Sequence, residues 1–67
     1  MEIRYPNIRV TLSDQDRNVF SVLGHVKYAL KLGGVSQQDI EAFVDEATKG
    51  DYDHLLRTAM RWVDLHD

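Results

Sequence analysis

Residues 59–66, "AMRWVDLH", decide how this chain folds, because two hydrophobic periods meet there. Running back from the stretch, Tyr52, Leu55, Leu56, Ala59, Met60 and Val63 recur at three- and four-residue spacings, the stripe of an amphipathic helix. Running forward, Val63 and Leu65 alternate with Asp64 and His66, the period of two that marks a half-buried strand. A lone strand needs a partner to be stable. The chain offers one at its other end. In "NIRVTL", Ile8, Val10 and Leu12 alternate with Arg9 and Thr11. Pairing of 62–66 with 8–12 is the preferred reading, so the third helix is expected over about 52–61 and a short strand over about 62–66.

The first strand is expected over about 7–12. Pro6 has no N–H for a ladder, so the strand begins near Asn7 or lies at a sheet edge. "SDQDRN" supplies turn residues. Val19, Val22, Leu23, Val26 and Leu30 then form one stripe, with Asn18 or Asp16 as N-cap and Gly33-Gly34 as the left-handed stop, which predicts a helix over about 18–32. Ser36 followed by Asp39 approximates a capping box, and Val35 and Ile40 stand where a hydrophobic staple places them. Ile40, Phe43, Val44 and Ala47 complete that stripe, and Gly50 is the expected stop of a helix over about 37–49. The expected fold class is α+β: one small domain over residues 1–67, an N-terminal strand followed by three helices, with a short C-terminal strand pairing with the first.

A chain of 67 residues has a thin core, supplying roughly 3–5 kcal/mol without a staple. It has no cysteine, hence no disulfide and no thiolate metal site. The 43% hydrophobic and 28% charged residues are those of a globular protein rather than a disordered one. No apolar run approaches the ~20 residues that cross a bilayer, and Met1 to Pro6 lack the start of a signal peptide, so a soluble, cytoplasmic protein with no membrane contact is expected. The net charge of −3 is uneven: residues 1–35 carry five basic groups against three acids, residues 36–67 three against eight. That balance disfavours nucleic acid and leaves room for a basic partner or for association of unlike halves.

Asp51, Asp53 and His54 crowd behind Gly50, and Asp51 and His54 are spaced to share a metal ion. Helix capping by Asp51 and a dipole preference for Asp53 explain the same residues more simply. His25, His54 and His66 form no HExxH and no serine lies in GxSxG, so no catalytic residue is assigned and no cofactor or metal is expected. Gly24 interrupts a helix, where it costs about 1 kcal/mol relative to alanine; close approach of another backbone is the favoured reason, approach of a ligand or partner the sharper one. Lys27 with Lys31 and Arg57 with Arg61 are one turn apart, and Tyr28 and Trp62 could lie near them, an arrangement that can bind single strands. Asp51, Asp53 and Asp64 oppose that use. Glu41 and Asp45 share an acidic helix face that is by default solvated. Trp62 is either core or an interface anchor.

The segments "YPNIRVTL" (5–12), "NVFSVLGHVKYAL" (18–30), "GVSQQDIEAF" (34–43) and "EATKGDYDHLLRTAMRWV" (46–63) together resemble a group of small uncharacterised proteins encoded by bacteria and their phages. "GDYDHLL" with "RWV" is the most specific part. The group often has glycine where this chain has Arg17, so the turn into the first helix departs from the pattern. The resemblance implies a cytoplasmic accessory protein, carried in some cases by mobile elements, and brings no activity to any residue.

The functional expectation is a non-enzymatic protein-interaction or accessory module that binds another protein or a second copy of itself. The expected surface is Trp62, Arg61 and Arg57, with Glu41 and Asp45 on the second helix. The alternative is a small nucleic-acid-binding regulator. The third reading is a metal-binding protein or enzyme using Asp51 and His54.

Overall fold

The structure, a computed structural model, describes residues 2–66. Strand β1 (Tyr5–Thr11) leads through a 3-10 turn at Asp14–Asp16 into helix α1 (Val19–Leu32). Helices α2 (Gln37–Ala47) and α3 (Tyr52–Trp62) follow, and strand β2 (Val63–His66) closes the chain. The order is the expected one, with an N-terminal strand, three helices and a C-terminal strand in an α+β domain.

The two strands run parallel, with Tyr5 opposite Val63, Arg9 opposite Asp64, Val10 opposite Leu65 and Thr11 opposite His66. Parallel strands cannot be joined by a tight turn, and the three helices are the crossover that such pairing needs. Between Tyr5 and Arg9 the register slips. Pro6 falls in that irregular stretch and has no N–H to give, so β1 begins at Tyr5, two residues earlier than expected, without a regular ladder there. Arg4 N–H to Arg61 C=O and Leu12 N–H to His66 C=O, both 2.8 Å, extend the pairing at either end.

Local chemistry sets the helix ends. Asn18 Oδ1 accepts from Ser21 N–H at 2.9 Å, Ser36 Oγ from Asp39 N–H at 3.2 Å, and Asp51 Oδ1 from His54 N–H at 2.9 Å. Gly34, at φ +83°, ends α1 in the left-handed region, and Val35 N–H bonds back to Leu30 C=O at 3.0 Å. Helix α2 stops at Ala47 rather than 49, because Thr48 turns its hydroxyl onto Val44 C=O at 2.8 Å. Gly50 is not a left-handed stop. A Cβ there would lie 2.7 Å from His54 Cβ, so glycine is needed for the approach of that ring.

The core gathers Val10 and Leu12 of the first strand region, Val22, Val26 and Leu30 of α1, Ile40, Phe43 and Ala47 of α2, and Leu55, Ala59, Trp62 and Val63. Val35 packs against it, as the staple with Ile40 requires. Val19 and Met60, both counted in the apolar stripes, instead face water: Val19 lies in the first turn of α1, where few neighbours cover it, and Met60 is 56% exposed on the outer side of α3. On α3 the buried face includes Thr58 instead of Met60, with the Thr58 hydroxyl donated to His54 C=O at 2.8 Å.

Candidate interaction surface

Trp62 is core, not surface. It is 5% exposed, with its ring edge-on to Phe43 at 5.5 Å and tilted against Tyr5 at 6.0 Å. The Arg4 guanidinium lies over the indole, 4.3 Å from its centroid, and reaches Asp39 at 3.7 Å. Tyr5 O–H donates to the same Asp39 carboxylate at 3.1 Å. Asp39 therefore holds the N-terminal segment across Trp62 instead of closing the second half of its capping box. An aromatic packed against two other rings and covered by a cation has its contacts already.

The other expected surface residues lie outside, but apart. Arg61 pairs with Glu46 at 3.9 Å, and with Arg57, Met60, Glu2 and Ile3 it lines a cleft of about 210 Å³. Glu41 and Asp45 are exposed on α2, where Asp45 pairs with Lys49 at 3.3 Å, and they border a shallow groove with Lys27. Neither pair is joined to Trp62 as one patch.

The cluster behind Gly50 is built into the fold. Asp51 caps α3. His54 Nε2–H donates to Glu46 C=O at 2.9 Å, tying the start of α3 to the end of α2. Among the described residues no group of three or more His, Asp or Glu side chains is placed to hold a metal ion, and no helix is long and apolar enough to cross a membrane. At the opposite end, Asp16 accepts from Ser13 N–H at 3.1 Å and Ser13 O–H at 2.8 Å. Those bonds, first the backbone and then the hydroxyl one, hold its carboxyl below the ordinary value, and His25 adds to the effect while desolvation opposes it. His25 donates Nδ1–H to Ser21 C=O at 2.7 Å, and its Nε2 stands 3.6 Å from Asp16.

The surface that stands out lies on α1, opposite Val22, Val26 and Leu30. Phe20 is 86% exposed, Tyr28 65% and Leu32 70%. With Gly24 they occur every fourth residue, so they share a face spanning an arc of about 120° and a length of about 18 Å. Gly24 is not explained by close approach of this chain's own backbone, since a Cβ there would meet nothing within 4 Å. It leaves a hollow lined by Ser21, Gly24, His25 and Tyr28. Lys27 and Lys31 flank the face, and neither meets a carboxylate among the described residues. Periodicity alone could have found the surface: counting from the buried stripe puts residues 20, 24, 28 and 32 on the far side.

The fold and surface together define a small α+β domain with a filled core and an apolar helix face open to solvent. Searches of protein-family models, curated proteins and solved structures return no match for the chain.

Proposed function

We propose that this chain is a non-enzymatic protein-interaction module, an accessory protein of the cytoplasm carried by bacteria or their phages, and that its working surface is the outward face of α1. One observation carries the reading: Phe20, Tyr28 and Leu32 stay exposed on one face while the core has apolar partners throughout. A single exposed leucine means little, but large apolar side chains grouped on one face mark an interaction site. Trp62 leaves the set of candidate contacts, and Arg57, Arg61, Glu41 and Asp45 become a charged periphery. The commitment of Asp51 and His54 to bonds within the fold supports a non-enzymatic role over a metal-dependent one. The test is affinity capture from host lysate with the wild type and with Phe20→Ser/Tyr28→Ser. The variant should melt like the wild type and lose the captured protein. Equal capture by both chains would remove the reading.

A second reading keeps nucleic acid as the partner, because Tyr28 shares a shallow groove with Lys27 and Lys31. Two lysines neutralise about two phosphates, so such binding is weak and steeply lost with salt. Fluorescence anisotropy of labelled single strands at low salt decides it; an unchanged signal removes it.

A further inference from the structure

We propose that the occupant of the α1 face is a second copy of this chain, docked antiparallel so that Phe20 of each copy fills the hollow at Gly24 of the other. The inference rests on the interaction reading above and names its partner. A two-fold interface requires one patch to carry both a projecting part and the recess that receives it. Here both lie on one face, one helical turn apart. Ser21, Gly24, His25 and Tyr28 stand at positions i, i+3, i+4 and i+7, the four-residue hole that accepts a side chain from a facing helix. Phe20 projects beside it almost fully exposed, and glycine at the centre lets two helices approach closely.

Charge sets the direction. The 3-10 turn that leads into α1 carries Asp14 and Asp16, followed by Arg17, while the C-terminal half of the helix carries Lys27 and Lys31. Antiparallel docking brings unlike ends together and opposes the helix dipoles, whereas parallel docking would stack like ends. With Phe20 over the hollow, Lys31 of one copy comes opposite Asp14 of the other. Lys27 comes beside Asn18 and Arg17, and Arg17, 3.5 Å from Asp14, shares that carboxylate with the incoming Lys31.

Area sets the strength. Phe20, together with Tyr28 and Leu32 where they reach the partner's 13–17 turn, offers at most about 400 Å² of side chain per copy. With the lysine stems, two copies bury at most about 1,000 Å², the lower limit for a specific interface. The dimer is therefore weak and concentration-dependent.

Sedimentation equilibrium from micromolar to millimolar chain should show the mass rising from one chain toward two. Phe20→Ser should weaken association roughly thirtyfold, as expected for a central aromatic anchor, with the melting curve of the dilute protein unchanged. The chain has no cysteine, so a spin label on Lys31→Cys is unique. Mixed with unlabelled, isotope-enriched chain, it should broaden amides of residues 13–17 in the other copy. A monomer at every concentration overturns the proposal, as does a dimer indifferent to Phe20→Ser, or broadening at residues 28–32 instead. A monomer whose lysate partner is still lost in Phe20→Ser/Tyr28→Ser would overturn the second copy alone and leave the interaction reading standing.

Discussion

Gly24→Ala separates the stability of this fold from its association, because the two should move in opposite directions. Gly24 sits mid-helix and exposed, and an added Cβ meets nothing within 4 Å beyond the helix's own adjoining backbone, so the fold itself accepts the methyl group. Alanine is about 1 kcal/mol more favourable than glycine in a helix interior, mostly through the lost freedom of the unfolded chain. For a domain this small that raises Tm by roughly 4–8 °C. The measurement is thermal unfolding by far-ultraviolet circular dichroism on dilute protein, where coupling to association is negligible. The same methyl group occupies the hollow that takes Phe20 of the second copy, so self-association should weaken roughly tenfold, as an overfilled contact does. A lowered Tm would mean that the backbone at Gly24 is packed against something. A raised Tm with unchanged association would mean that Phe20 docks elsewhere.

Trp62→Ala removes the ring held by Phe43, Tyr5 and Arg4 and should cost roughly 3–5 kcal/mol, about what a core this size supplies; a cooperative melt near that of the wild type would contradict burial of the indole. Asp51→Ala should cost about 1 kcal/mol through loss of the α3 cap, measured by urea unfolding, and zinc added to the wild type should leave the His54 resonances in place. Asp16 has a folded pKa below its unfolded one, so its bonds to Ser13 contribute fully above the ordinary carboxylate range and fade as pH falls through the depressed folded value. Asp16→Asn should therefore lose stability at neutral pH and lose less than the wild type on acidification, seen in melts across that range.

The parts of the fold that could be read in advance depend on bonds between near neighbours. Asn18, Ser36 and Asp51 each bind an N–H three residues on, so residue type and position together announce the cap. The change from helical spacing to alternation after Trp62 likewise announced β2, whose direction and register were left to packing. What escaped depends on distant contacts. Asp39 turns to Tyr5 and Arg4, more than thirty residues back, and in doing so covers Trp62, which moves that residue from a candidate contact to the core. Gly50 likewise answers to the His54 ring rather than to a helix stop. The exposure of Phe20 and Leu32 was available from the helical period, since they stand opposite the buried valines; the prominence of tryptophan and the charged residues near it drew the expected surface toward Trp62, Arg57 and Arg61 and away from α1.

The central claim is that the outward face of α1, and not the Trp62 end, is where this protein meets a partner. Amide correlation spectra recorded through a dilution series of the wild type test it most directly. Shifts confined to residues 13–17 and the neighbourhood of Phe20, Gly24, Tyr28 and Leu32, with the Trp62 indole signal constant, are the expected result. No shift at any concentration would remove the second copy as that partner, and shifts centred on residues 57–62 would contradict the claim itself.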